Sequence, residues 1–461
     1  MILKRYIGDR QFYRRVLTVM IPIMIQNGIT NLVNMVDNVM VGQVGVLETN
    51  GVWVINQLLF VFNLCIFGAV SGAGIFTAQF YGNGDHKGVR DTFRFKLLSA
   101  LLLTGAGVLL FLCCDRTLIG LYLQGEGSAA DIAGTMDFSR SYLRIMLVGL
   151  VPYALSQCYS GTLRETNNAT LPMVAGAVAV GVNLSLNWVL IFGKLGLPAL
   201  GVEGAAIATV VSRFVELGVL VVWTCRHKVR HPFLEGAFRS LRIPRALAGQ
   251  ILRKGLPLML NETCWAAGMA ALAQCYSVRG LIVVSANNIA QTFHNVFSVA
   301  FVAVGVAIGI ILGQQLGAGK QKEAMDSARK LIAFAVFLSA AIAVVYMVCA
   351  LFIPSFYNTT DEIRRLATQL MWIAAITMPL DAFANSAYFT LRSGGKSFIT
   401  FLFDSVFAWC VVVPSVFILS RYTGVSILVL YAVGHGLSLV KDIIGYVLVK
   451  KGIWIRTLTQ Q

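Results

Sequence analysis

Charged and polar side chains inside long apolar runs are the residues of this sequence whose types and spacing could do chemistry. Asp37 and Asp381 each lie within such a run, and Asn183 and Asn187 are four residues apart. An ionised side chain in hydrocarbon costs at least ~2.5–3.5 kcal/mol, so a retained one needs a reason. A carboxylate can ligate Na⁺ or take up a proton, and residues four apart share a helix face. The structural alternatives are an aspartate that caps a helix and an asparagine pair that bonds between helices.

Four further charged residues lie at positions from which they could form two ion pairs. Arg213 and Glu216 are three residues apart on one predicted helix and can neutralise each other. Asp404 and Lys441 lie on successive predicted helices and could form an inter-helix pair. Lys441 could also reach another carboxylate within the apolar runs and stabilise its charged form, so this second pair stays open between the two roles.

Uncharged polar residues recur at spacings of three to four on otherwise apolar helices. Such stripes face either a cavity or a neighbouring helix, and a lone histidine is more often a packing residue. The candidates for a substrate path are Asn34, Asn56, Asn63, Asn288, Gln291, His294, Asn295, Asn385 and Tyr388.

No catalytic pattern appears in the sequence. It has neither a GxxxxGK[ST] loop nor an HExxH motif, and its nine cysteines are scattered without a CxxC. We therefore predict a protein that is not an enzyme, with no resident cofactor and no metal beyond Na⁺. The net charge of +16 could suggest nucleic acid, but basic residues that flank membrane spans explain it better.

The elements that must position these residues are membrane-spanning helices. Hydrophobic residues make up 57% of the 461 residues and charged residues 13%, whereas soluble domains carry about 25% charge. A bilayer accepts such a chain at about 20 apolar residues per helix. The predicted spans are 15–40, 50–80, 95–114, 140–163, 170–192, 203–225, 255–278, 284–316, 328–353, 366–391, 398–420 and 425–449.

The distribution of Lys and Arg predicts the orientation. With both termini in the cytoplasm, the cytoplasmic segments hold 27 of these residues and the outer segments hold eight. We expect a multi-pass protein of the plasma (inner) membrane with both ends inside.

An internal repeat divides the chain. The run that begins at Pro22 aligns with the run that begins at Pro257, and Gln79–Gly82 aligns with Gln314–Gly317, both at an offset of 235 residues. The prediction is an all-α polytopic protein whose two six-helix lobes are related by an axis along the membrane normal. The lobes are residues 1–225 and 255–461, joined by a basic cytoplasmic linker, 226–254.

Five segments occur in a fixed order along the chain, at 35–42, 79–84, 163–172, 183–188 and 199–209. With these segments the sequence resembles the multidrug and toxic compound extrusion (MATE) family of the MOP flippase superfamily, over essentially its whole length. The resemblance implies secondary active antiport, in which organic, often cationic or amphipathic compounds leave in exchange for Na⁺ or H⁺ by alternating access.

The resemblance also implies a cation-coupling site in each lobe. The N-terminal set is Asp37, Asn183, Asn187, Ala205 and Thr209. Some relatives have a second carboxylate at the position of Asn187, so the amide here leaves one negative charge, which suits one Na⁺ or one proton. In the C-terminal lobe, Asp381 and Glu262 are the candidates.

The alternative function is a lipid-linked oligosaccharide flippase of the same superfamily. A flippase should have a strongly basic cavity, whereas only Arg213 and Lys441 among the basic residues lie well away from the ends of the spans. The expected partners are a small-molecule substrate and membrane lipid, without nucleic acid, and a monomer would suffice.

Overall fold

The computed structural model describes residues 6–123, 129–357 and 359–459. Every regular element within them is helical. The α-helices are α1 (Arg10–Gly42), α2 (Val46–Gly82), α3 (His86–Gly120), α4 (Ala129–Val148), α5 (Leu150–Glu165), α6 (Thr170–Phe192), α7 (Gly201–Arg226), α8 (Arg245–Ser277), α9 (Leu281–Gly317), α10 (Gln321–Cys349), α11 (Asp361–Ser393), α12 (Ser397–Phe401), α13 (Val413–Tyr422), α14 (Ile427–Gly436) and α15 (Ser438–Lys450).

These helices follow the twelve predicted spans, but three spans are interrupted. The fourth breaks at Gly149 into α4 and α5, and the twelfth breaks at Leu437 into α14 and α15. In the eleventh, two π-helical segments, Leu402–Val406 and Ala408–Val412, separate α12 from α13. Ten helices of the described residues are long and apolar enough to cross a membrane. The other two spans are the divided fourth and α8, which carries several polar residues.

Contacts group the chain into two compact units. The first contains residues 6–24, 78–85 and 253–459, and the second contains Ile25–Thr77 and His86–Leu252. Most of the predicted linker therefore packs with the helices that precede it, and short pieces of α1 and α2 pack with the second half of the chain.

The first unit is built around α9, α10 and α11, which pack side by side. Large side chains such as Tyr346, Met371 and Tyr431 are buried in a core that extends to α14. In the second unit, α6 packs along α7, and α7 also contacts α4 and α5. The close packing of α7 on the break at Gly149 leaves no space for a larger residue, because a Cβ there would lie 3.0 Å from Val210.

Repeat-related glycines form a tight crossing within the first unit. A Cβ on Gly82 would lie 2.0 Å from the carbonyl oxygen of Gln314, and one on Gly317 would lie 1.9 Å from that of Gln79. The two glycines are 235 residues apart, the offset of the repeat. The ends of α2 and α9 can therefore cross backbone to backbone only because both positions lack a side chain.

Candidate cation-coupling site

The N-terminal set predicted from the resemblance lies in the second unit, on three helices. α1 positions Asp37, α6 positions Asn183 and Asn187 one turn apart, and α7 positions Ala205 and Thr209. Both asparagines and Ala205 are buried, whereas Asp37 and Thr209 are half-buried. We call these five residues the Asp37 set.

Hydrogen bonds join four members of the Asp37 set. Asn187 Nδ2 donates to Asp37 Oδ1 at 2.7 Å and to Asn183 Oδ1 at 3.1 Å. Asn183 Nδ2 donates to Thr209 Oγ1 at 3.4 Å. Ala205 adds no side-chain oxygen. The set is therefore a connected polar network across three helices rather than a pair of asparagines that bond only to each other.

The amide of Asn183 can serve the carboxylate in two ways. The side-chain amide atom of Asn183 that faces Asp37 lies 3.1 Å from Asp37 Oδ1 and 3.3 Å from Asp37 Oδ2. If the amide is turned so that its nitrogen faces Asp37, that nitrogen donates to both oxygens. With oxygen in that place, Asn183 and Asp37 present converging acceptors, and Asn187 Oδ1 is buried without a hydrogen-bond partner in the described part of the chain. Oxygen ligands of this kind suit a hard cation.

Arg213 and Glu216 of α7, which the spacing predicted to pair with each other, are arranged differently. Arg213 Nη1 donates to the carbonyl oxygen of Gly149 at 3.3 Å, and its guanidinium lies 5.0 Å from the ring centre of Tyr153. Among the described residues, no ion pair within 4.0 Å joins Arg213 to Glu216. The carbonyl oxygen of Gly149, which also accepts from the backbone N–H of Tyr153, is a partner for Arg213 that the spacing could not indicate.

In the first unit, Asp404 receives two donors. Lys441 Nζ forms an ion pair with Asp404 Oδ1, and Asn261 Nδ2 donates to Asp404 Oδ2 at 3.0 Å. Tyr388 donates its hydroxyl to Glu262 Oε1 at 3.2 Å and lies 3.4 Å from Asn261 Nδ2. This network joins α8, α11, α15 and the first π segment, and we call it the Asp404 network.

Asp381 bonds elsewhere. Its Oδ1 accepts from Ser438 Oγ at 3.3 Å, on α15. The two predicted carboxylates of this lobe, Asp381 and Glu262, thus have separate hydrogen-bond partners. Sequence reasoning missed Asn261 and Ser438; the only available signal for Asn261 was its place immediately before Glu262 in the repeated segment.

The substrate-path candidates do not form one group. Asn56, Asn288 and Asn295 are exposed, and Gln291 Nε2 donates to Asn295 Oδ1 at 3.1 Å. Among these candidates, Asn63 Oδ1, His294 Nδ1 and Asn385 Oδ1 are buried and have no hydrogen-bond partner in the described residues. The side chain of Asn34 lies outside the part of the chain that the structure describes. No group of three or more His, Cys, Asp or Glu residues among those described could hold a metal ion.

Comparison with known proteins decides the family. A sequence model of the MatE family matches residues 22–189 and 257–418, which together cover most of the chain. The chain belongs to the MatE family. The two matched segments of this MatE protein begin at Pro22 and Pro257, the residues from which the internal repeat was read.

Relatives of this MatE protein match over nearly the full length. It is 22% identical over 429 residues to a probable multidrug resistance protein, NorM, of Thermotoga maritima, covering 92% of this chain and 88% of the relative. It is 25% identical to the probable multidrug resistance protein YoeA of Bacillus subtilis, covering 89% and 87%. A solved outward-facing MATE family transporter of the MOP superfamily has a TM-score of 0.86 at 19% identity, covering 97% and 98%.

These matches confirm the predicted family and fold. The chain is an integral multi-pass membrane protein with the twelve-helix, two-lobe fold of MATE transporters.

Proposed function

We propose that this protein exports organic, cationic or amphipathic compounds by secondary active antiport, in exchange for Na⁺ or H⁺. The observation that carries this proposal is the hydrogen bond between Asn187 and Asp37, in a network of carboxylate, amide and hydroxyl groups on three helices. The relatives named as probable multidrug resistance proteins support the choice of substrate class.

The Asp37 set would couple export to entry of the cation, because the protein would prefer one conformation when a cation is bound there. A cation that neutralises Asp37 changes the cost of burying that carboxylate, and only a difference in affinity between two conformations can drive the exchange. Asn183 and Asn187 would turn acceptor oxygens toward a bound Na⁺, or donate N–H groups to the bare carboxylate. The protein would act as a monomer in the plasma membrane with both termini in the cytoplasm, without cofactor, catalysis or nucleic acid.

The test is transport by the purified protein in liposomes. A fluorescent organic cation is followed under an imposed Na⁺ gradient or an imposed proton gradient, one at a time. We expect one gradient to move the dye and Asp37→Asn to abolish that movement. Glu323→Gln is the matched control, because Glu323 is an exposed carboxylate whose ion-pair partner among the described residues is Lys320.

If neither gradient moves several chemically different cations, the antiport proposal is wrong. Transfer of a labelled lipid-linked oligosaccharide across the same bilayer would then support the flippase alternative. Against that alternative, Arg213 is already engaged with Gly149 and Tyr153, and Lys441 with Asp404.

A further inference from the structure

The linker between α7 and α8 is folded rather than loose. It contains two short 3₁₀ turns, Lys228–Arg230 and Pro232–Leu234. Phe233, Leu234 and Ala237 are buried. The ring of Phe233 packs edge-on against Phe93 of α3, with 5.2 Å between ring centres.

Arg94 of α3 fixes the second half of the linker. Its Nη2 donates to the carbonyl oxygen of Gly236 at 2.7 Å, and its Nε donates to that of Ala237 at 2.9 Å. Asp91 pairs with the same guanidinium at 3.0 Å. The linker is therefore held on the first turns of α3, and its outward side chains have a defined placement.

The outward side chains of the linker include both large apolar residues and many basic residues. Val229, Phe238 and Leu241 are 96%, 60% and 53% exposed. Six exposed basic residues lie in the same segment, and Glu235 is the single acidic residue between positions 226 and 254. The basic residues are Arg226, Lys228, Arg230, Arg239, Arg242 and Arg245.

The position of this surface matches a membrane boundary. It begins where the apolar helix α7 ends, and Trp223 in the last turn of α7 is about half exposed. Tryptophan is enriched at membrane interfaces, and clusters of Lys and Arg beside a membrane helix attract anionic lipid headgroups. A polyanion alone would match the charge but would leave Val229, Phe238 and Leu241 in water.

We propose that linker residues 226–245 form a docked interfacial surface that binds anionic phospholipid headgroups of the cytoplasmic leaflet. The guanidinium groups bind headgroup phosphates, and Phe238, Leu241 and Val229 enter the adjacent apolar layer. The proposal rests on the cytoplasmic placement of the linker given under the proposed function, but it requires neither antiport nor a particular substrate.

The experiment measures lipid retention by delipidated, full-length protein in native mass spectrometry. Phosphatidylglycerol, phosphatidylcholine and inorganic phosphate are titrated separately. We expect retention of phosphatidylglycerol that weakens with salt, little retention of phosphatidylcholine, and none of free phosphate. The double variant Arg239→Gln/Arg242→Gln should weaken phosphatidylglycerol binding by about tenfold or more, since each basic residue contributes roughly fivefold.

The charge-matched control is Arg364→Gln/Arg365→Gln, which removes two basic residues at the start of α11. A second variant, Phe238→Ser/Leu241→Ser, keeps every charge and should also weaken lipid binding, which separates insertion from simple charge attraction. Equal phosphatidylglycerol binding by both double arginine variants would overturn the proposal. Tighter binding of an acidic peptide or an RNA oligonucleotide than of phosphatidylglycerol would overturn it as well. The assay contains no ion gradient, so its outcome is independent of the transport test.

Discussion

Asn187 donates a hydrogen bond of 2.7 Å to Asp37, 150 residues earlier in the chain, and thereby ties α6 to the one carboxylate of the Asp37 set. The same Asn187 nitrogen also reaches Asn183 Oδ1 at 3.1 Å. Asn187 is therefore a positioning residue for the carboxylate as well as a source of an amide oxygen.

If the proposed antiport holds, replacing Asn187 should weaken binding of the coupling ion more than it slows maximal transport. In Asn187→Ala, Asp37 loses its shortest donor, and loss of such a supporting partner typically lowers ion affinity by about 10- to 100-fold. We expect the ion concentration at half-maximal transport to rise by that factor, with the maximal rate largely kept. The measurement is dye transport in liposomes at varied Na⁺ or H⁺.

Ser185→Ala is the control for this prediction, because Ser185 is exposed on the same helix and its hydroxyl donates to the carbonyl oxygen of Gly181, one turn earlier in α6. An unchanged ion dependence in Asn187→Ala would show that the bond to Asp37 has no part in coupling.

The number and order of the membrane-spanning helices could largely be predicted, because an apolar run long enough to cross a bilayer indicates a helix that is buried in lipid. The two glycines at which α2 and α9 cross, Gly82 and Gly317, occupy equivalent positions of the internal repeat. The interruptions were not predictable. The break at Gly149 and the π segments after Phe401 change backbone hydrogen bonding without changing which residues are apolar.

The resemblance indicated which polar residues lie together, but the sequence did not indicate which atoms bond to each other. The resemblance grouped Asp37 with Asn187, and the structure joins them through a bond that no sequence spacing encodes. The spacing of Arg213 and Glu216 favoured an ion pair, yet the described hydrogen bond of Arg213 is to the carbonyl oxygen of Gly149, which lies between the two helices that pack on α7. Partners that depend on tertiary packing leave no periodic signal.

Gly82→Ala should destabilise the protein. The new Cβ would lie 2.0 Å from the carbonyl oxygen of Gln314, and both atoms belong to packed helices, so backbone must shift. Overpacking of this kind costs about 1–3 kcal/mol. Thermal unfolding in detergent should show a lower Tm.

Gly105→Ala provides the matched comparison. A Cβ on Gly105, inside α3, would meet nothing within 4 Å. Alanine there should be neutral or stabilising, by about 0.5–1 kcal/mol, because it restricts the unfolded chain. Equal Tm values for the two alanine variants would contradict the close crossing of α2 and α9.

The docking of the linker should weaken as the pH falls. Burial, with the charges of His227 and Arg230 nearby, lowers the pKa of His231 below its ordinary 6.5. The folded linker therefore binds fewer protons than the unfolded one, so its stability is full above the ordinary pKa and is lost as the pH falls below that value. Hydrogen exchange of residues 226–252, corrected for intrinsic rates, should accelerate between pH 7.5 and pH 5.5.

His231→Gln should remove most of this pH dependence, because glutamine does not titrate in this range. His86→Gln, at the start of α3, is the control and should leave it in place. A pH dependence that persists unchanged in His231→Gln would show that another group controls the linker.

Removing Lys441 should destabilise the first unit more than removing the whole pair. Lys441→Met leaves Asp404 with Asn261 as its remaining described donor and without a positive partner. Breaking a fully buried pair costs about 3–5 kcal/mol, and this pair is half-buried, so we expect a smaller loss in the same direction. The double variant Asp404→Asn/Lys441→Met removes both charges, so it should recover most of that loss. Unfolding of the wild type, both single variants and the double variant gives the interaction free energy of the pair from a double-mutant cycle. If the double variant is no more stable than Lys441→Met alone, Lys441 stabilises the unit through packing, on Phe403 at 5.2 Å for example, and not by neutralising Asp404.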